Sequence, residues 1–350
     1  MKGGCVVMMA LAGMLGGVCL GAQKDAGVPA AEQQGKPAAT QPANPAAEKA
    51  AGPAKKKAAK SAAKAKRPLQ PPTQEEIAQI TQAVPAKAEA APAKPRRLLV
   101  FYKCEGAVHA VIPATNKALE IMGQKTGAFT ADFSEDMAVF TAQNLAPYDA
   151  VALNNTTRLK FEDPEARKAL LDFVRNGKGL IGFHAAADNF YEWPQGAEMI
   201  GGQFDGHPWR GGGTWAVKND EPDHPLNRGF EGKGFSISDE LYQYKGAYSR
   251  DTLRVLLSVD LSDPATAQVS GQKRADRDNG LSWIRPYGKG RVFYCALGHN
   301  KPLLWNRAIL SHYLAGIQYA LGDFKVDDSP RPPAKADSGG KPAAPPPAGK

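Results

Sequence analysis

Aromatic and branched aliphatic side chains, without which no core forms, are almost confined to a leading apolar run and to residues 98–329 of this 350-residue chain. Residues 23–97 are mostly Ala, Pro, Lys, Gln and Gly, and residues 330–350 repeat that bias. Such segments bury too little apolar surface to offset the entropy of ordering them. The expected organisation is one globular domain at 98–329 between a disordered linker at 23–97 and a disordered tail at 330–350. Charge divides the same way. The whole chain carries +9, but the linker holds 14 Lys/Arg against 6 Asp/Glu and the tail 4 against 1, leaving 25 against 28 in the middle. A mildly acidic domain argues against a general polyanion-binding fold, and no specific nucleic-acid partner is expected. The linker lysines leave room only for weak contact with anionic envelope polymers.

Lys2 precedes an apolar run from Cys5 to Leu20, followed by Gly21 and Ala22. That is the pattern of a signal peptide at 1–22, cleaved after Ala22. The run is short and Gly-rich for a membrane span of about 20 residues, and no second apolar run of that length follows. The mature chain is expected to be exported, periplasmic or secreted, without a transmembrane span. Loss of the leader removes Cys5 and Cys19 and leaves Cys104 and Cys295, too few for a disulfide framework. Inside the linker, Thr73 and Glu76 form a capping-box pattern ahead of Ile77, Ile80 and Val84, which share one helical face. About a dozen residues make a marginal isolated helix, so a transient turn is expected, with docking onto the domain as the alternative.

From residue 98 onward strands and helices alternate. Leu98–Tyr102, Tyr148–Leu153, Gly179–Phe183, Leu253–Val259 and Arg291–Leu297 read as strands. Helices fit Pro113–Gly123, the stretch opened by Asp163–Pro164, and Trp305–Leu321. Continuous apolar strands separated by helices predict an α/β fold with a single doubly wound, mostly parallel sheet of flavodoxin-like type. The stretch 187–250, rich in Gly, His and aromatic residues, is too long for a simple connection and reads as a functional insertion.

Ligands of open α/β sheets bind beyond the carboxyl ends of the strands. There the chain places Lys103, Cys104, Glu105 and His109; Asn154, Asn155, Thr156 and Thr157; His184; and Gly298, His299 and Asn300. The insertion adds His207, His224 and the pair Asp239–Glu240. A lone His at such a place is commonly structural, but three at equivalent places point to a site. His184, His207 and His299 are the candidate ligands of a divalent metal, zinc first, although no local H-x-x-x-H or C-x-x-C spacing supports them. His184, Glu240 and His109 are equally suited to acid–base catalysis. Asn155, Asp239, Trp209 and Tyr191 are candidates for substrate contact; Trp193, Trp215 and Phe190 are further aromatic candidates, for which core packing is the commoner fate. His224, before Pro225, reads as a turn residue. A nucleophile elbow is excluded, because the strand-to-helix turn reads G-F-H-A-A with His184 where Ser or Cys would stand. No nucleotide cofactor is expected.

The segments G-K-G-L-I-G-F-H-A-A-A-D (177–188), G-G-Q-F-D-G-H-P (201–208), D-H-P-L (223–226), S-D-E-L-Y (238–242) and G-K-G-R-V-F-Y-C-A-L-G-H (288–299) resemble the ThuA (trehalose-utilisation) family in order and spacing. C-E-G-A-V-H-A-V-I-P (104–113) and N-N-T-T (154–157) resemble its secreted branch. The resemblance spans about 98–322 and excludes the tails. It implies a fold similar to class I glutamine amidotransferases without their catalytic cysteine. It also implies a role with trehalose or related disaccharides, acting on 3-keto derivatives. The matching polar positions are His184, His207, Glu240 and His299, with His109, Asn155 and Asp239 around them. Two readings stand: an exported carbohydrate-active enzyme, or a non-catalytic module that binds a glycan or a protein.

Overall fold

The computed structural model describes residues 69–331. The expected signal peptide at 1–22, the linker up to 68 and the tail from 332 lie outside the described residues. In chain order the elements are α1 (Gln74–Ala83), β1 (Arg97–Phe101), α2 (Ile112–Thr126), β2 (Thr130–Ser134), α3 (Ala142–Leu145), β3 (Ala150–Asn154), α4 (Pro164–Arg175) and β4 (Gly179–Phe183). The insertion contributes α5 (Pro194–Ile200), β5 (Gln203–Phe204), β6 (Trp215–Asn219), β7 (Phe235–Ile237) and β8 (Tyr244–Lys245). The chain then closes with β9 (Arg254–Val259), α6 (Pro264–Ala267), β10 (Gly280–Tyr287), β11 (Gly290–Cys295) and α7 (Arg307–Leu321).

Nine strands form one mixed sheet in the order β2-β1-β3-β4-β11-β10-β9-β6-β7. The first five are mutually parallel, and the remaining four continue as an antiparallel wing. The α/β fold read from the sequence is therefore present, with part of the insertion supplying two strands of the wing. β3 and β4 are buried along their whole length, as strands covered on both faces must be. The reversal of strand order between β1 and β3 opens a crevice at their carboxyl ends.

Local chemistry sets the helix limits. Asp163 accepts the Glu165 amide ahead of Pro164, which starts α4, while Leu170, Phe173 and Val174 turn inward. Asn306 caps two amides of α7, and Gly322 ends that helix in the left-handed conformation at φ 86°. α7 lies against β4 and β11. A Cβ on Gly316 would overlap the Phe293 ring, so glycine is what lets this helix approach the sheet.

The folded body begins earlier than the composition predicts. Residues 69–97, expected as linker, are packed: Ile80 and Val84 are completely buried and Ala83 nearly so. Thr73 and Glu76 form the capping box, and Lys125 of α2 donates to the carbonyls of Thr81 and Val84 at the far end of α1. Gln318 of α7 accepts from the Glu89 amide at 2.7 Å and donates to Ala90 O at 2.6 Å. Docking, the alternative to a transient turn, is what the structure shows. Among the described residues no helix is long and apolar enough to cross a membrane.

Candidate functional site

Four segments converge at the carboxyl end of the parallel strands. His184 follows β4 directly, in the left-handed region at φ 47° and completely buried. Its Nδ1 lies 2.7 Å from Ala296 O. A carbonyl can only accept, so Nδ1 carries the proton and Nε2 presents a bare lone pair. Around that Nε2 stand Tyr242 Oη at 3.0 Å, His299 Nδ1 at 3.2 Å and Glu240 Oε1 at 3.8 Å.

His299 sits on the turn after β11, and this turn is shaped by Asp239. The completely buried Asp239 carboxylate accepts the amides of Gly298 at 2.8 Å, His299 at 3.0 Å and Asn300 at 2.8 Å. Its neighbour Glu240 faces the imidazoles instead, with Oε1 3.5 Å from His299 Nδ1 and Oε2 3.4 Å from His207 Nδ1. His109, just before α2, completes the group: its ring stands edge-on to His184 at 5.0 Å and to His299 at 5.2 Å. Its Nδ1 is buried without a hydrogen-bond partner. One donor atom from each of His109, His184, Glu240 and His299 lies within 4.8 Å of the others. His207 is joined to the group through Glu240 and stacks on Phe204 at 5.7 Å; it is not one of the four converging donors.

Burial keeps two of these imidazoles, His109 and His184, neutral. It lowers His109 to about 4 and His184 well below the usual range, helped in each case by the neighbouring histidines. Burial also raises Tyr242 well above its ordinary value, so its hydroxyl stays protonated. Asp239 is pushed up to about 7 by burial, against the pull of the amides it accepts. Backbone strain gathers nearby. Among the described residues, five of the seven non-glycine residues with positive φ, namely Asn155, Arg158, Phe161, His184 and Phe190, lie on the segments that follow β3 and β4.

The remaining expected substrate residues are placed differently. Trp209 is completely buried, its indole N–H donating to Thr266 O at 2.9 Å, and Asp239 spends its oxygens on backbone amides. Both therefore shape the site from behind. Asn155 is also completely buried and donates to Asn154 Oδ1, while its own Oδ1 has no partner. Tyr191 is half-buried, its hydroxyl on Asp188 and its ring under the Arg158 guanidinium at 4.3 Å. His224 acts as the turn residue expected, accepting the Leu226 amide. Phe190 and Trp193 are in the core, and Cys104 and Cys295 form no disulfide.

Sequence reasoning passed over Tyr242, whose signal lies in S-D-E-L-Y: residues 240 and 242 of an extended segment share a face. The Ala296 carbonyl has no sequence signal at all.

Fold and site together define a flavodoxin-like α/β protein with a His/Glu cluster in its strand-end crevice. A family match to ThuA, described as trehalose utilisation, spans residues 97–320, and the chain belongs to that family. Membership supports a role in carbohydrate metabolism. Among solved structures, a ThuA-like protein from Bacteroides uniformis is 21% identical with a TM-score of 0.53, covering 66% of this chain and 94% of that one. One from Parabacteroides merdae is 21% identical with a TM-score of 0.50, covering 65% and 90%. These likenesses show the fold. No curated protein matches the chain.

Proposed function

We propose that the protein is an exported enzyme that acts on a keto derivative of trehalose or of a related disaccharide or glycan. In this reading His109, His184, Glu240 and His299 hold a divalent metal, zinc first. The observation that carries the reading is the spacing of the donors. Ligand arms of 2.0–2.1 Å in a tetrahedral zinc site put neighbouring donors about 3.3 Å apart. The separations here are 3.2 Å between His184 and His299, 3.5 Å between His299 and Glu240, and 3.8 Å between His184 and Glu240. The Nδ1–H of His184 bonded to Ala296 O is also the outer-shell contact that fixes a ligand tautomer. The buried, unpartnered Nδ1 of His109 is a donor in want of an acceptor or a ligand.

A bound divalent ion would supply Lewis-acid polarisation of a sugar carbonyl. The side chains supply the proton chemistry. A ketone acidifies the adjacent C–H, and Glu240 Oε2 with His207 Nδ1, 3.4 Å apart, form a pair able to take that proton. Returning it to the former carbonyl carbon, while the proton of the adjacent hydroxyl passes to the carbonyl oxygen, gives isomerisation. In cleavage, the C–H electron pair forms a C=C bond, the glycosidic C–O bond breaks, and the leaving oxygen takes up a proton. Tyr242, held protonated by burial and 3.0 Å from His184 Nε2, would donate it in this reading. The basic segment before residue 69 would serve as a tether with weak affinity for envelope polyanions.

The test is elemental analysis by mass spectrometry on the full chain, purified without a metal-binding tag, beside His184→Ala and His299→Ala. Near-stoichiometric zinc in the wild type and its loss in both variants is expected, with turnover of a 3-keto disaccharide that the variants lack. A wild type that holds no metal after reconstitution and turns over no keto-sugar sinks the enzyme reading. Sugar binding without either would leave a glycan-binding module.

A further inference from the structure

The family match begins at residue 97, yet α1, at 74–83, is packed against the short 3-10 helix at 301–305 that follows His299. We infer that α1 positions the His299 turn, with the Glu76–Lys301 pair as the clamp. Lys301 stands two residues beyond His299 and opens the short 3-10 helix Lys301–Trp305. Its Nζ meets Glu76 Oε1 at 2.8 Å and Oε2 at 3.2 Å. Both side chains are largely shielded, at 31% and 17% exposure, so solvent screens the pair less than an open surface bridge.

Glu76 has two tasks. Its Oε2 also accepts the Thr73 amide at 2.9 Å, closing the capping box, so the start of α1 and the hold on Lys301 depend on one carboxylate. The helix is itself anchored at two further places. Ile80 and Val84 are completely buried, and Lys125 binds the carbonyls of Thr81 and Val84. α1 thus presents Glu76 from a fixed platform.

On the inner side, the turn is held by Asp239 through the amides of 298–300 and by Asn300 Nδ2, which donates to Gly211 O and Ser238 O. Nothing in those contacts restrains the chain beyond Asn300 from the outer side; Glu76 does. Two clamps on opposite sides of a short turn restrict its backbone more than either alone. They hold His299 Nδ1 at its 3.2 Å approach to His184. Glu76 and Lys301 are positioning residues acting through His299, and the inference requires no bound metal or sugar.

The test compares the full-length wild type with Lys301→Met, Lys301→Arg and Glu76→Gln. Gln preserves a capping box while removing the charge. Amide hydrogen exchange over residues 296–306 is read by mass spectrometry, and the ring nitrogen resonances of His299 by NMR. Lys301→Met and Glu76→Gln are expected to speed exchange at 299–301 by about fivefold, the scale of one ion pair, and to shift the His299 ring signals. Exchange in β4 should stay as in the wild type, and Lys301→Arg should restore both readouts. Unchanged exchange at 299–301 in Lys301→Met overturns the inference. Equal acceleration throughout β4 and β11 also overturns it, because α1 would then be a general stabiliser of the fold.

Discussion

Asp239 and Glu240 are adjacent carboxylates with opposite tasks, one turned into the protein to hold a backbone turn and the other facing three imidazoles, those of His184, His207 and His299. The division follows from geometry, since consecutive side chains on extended backbone point to opposite sides. It yields a prediction. Asp239→Asn keeps the shape but replaces one acceptor oxygen with an NH2 group that confronts amide donors. We expect a loss of about 1–3 kcal/mol in urea denaturation, because buried N–H groups are left unsatisfied, together with weaker zinc binding in titration. Stability and zinc affinity both equal to wild type would remove Asp239 from its anchoring role. Residue types at strand ends made His109, His184 and His299 legible in the sequence, and the acidic pair in the insertion made Glu240 so. The direction of Asp239 was not, because it depends on where the turn after β11 passes. Neither was the His184 tautomer, which is set by a backbone carbonyl, a group every residue carries.

At the scale of elements, pattern succeeds where burial is continuous and weakens at edges. β3 and β4 are apolar runs buried throughout, and both stand out in the sequence. β2, Thr-Ala-Asp-Phe-Ser at the sheet edge, has no such run and is half exposed, while β10 carries Ser282 and Pro286 within its eight residues. Helix α1 is a different case. Its capping box was readable, yet ten residues do not hold a helix alone, and the decisive contribution is the tertiary burial of Ile80 and Val84. Ile80→Ala should therefore cost about 2–4 kcal/mol, the usual range for a buried aliphatic cut back to Ala. Chemical denaturation of the full chain measures it. A cost below about 0.5 kcal/mol, the level of surface substitutions, would mean that α1 does not stay docked in solution.

For the whole molecule, composition alone separated the charged flank from the mildly acidic domain, but the titration behaviour of that domain depends on burial. His312 on α7 is completely enclosed, with Nδ1 on Leu226 O at 2.9 Å and Nε2 on Ser282 Oγ at 2.8 Å, and burial lowers it to about 4. Burial also lowers His109 to about 4, His184 well below the usual range, and His224. A histidine whose folded pKa lies below its unfolded value takes up protons first in the unfolded chain. Its contribution to stability is present above about pH 6.5 and is lost as pH falls toward the folded value, at about 1.4 kcal/mol per pH unit for each such group. Asp239, raised to about 7, has the opposite sign between its unfolded value of 3.8 and that pH, and relieves part of the loss. Four histidines stand against the two carboxyls that burial raises, Asp239 and Asp188, so stability should fall from pH 6.5 to pH 4.5. Urea denaturation across that range should show the midpoint dropping at each step. His312→Leu, which removes one titrating imidazole from the core, should flatten the slope even where it lowers stability at pH 7.5. A midpoint that holds steady or climbs between pH 6.5 and 5 would show that the imidazoles take up protons without leaving the fold.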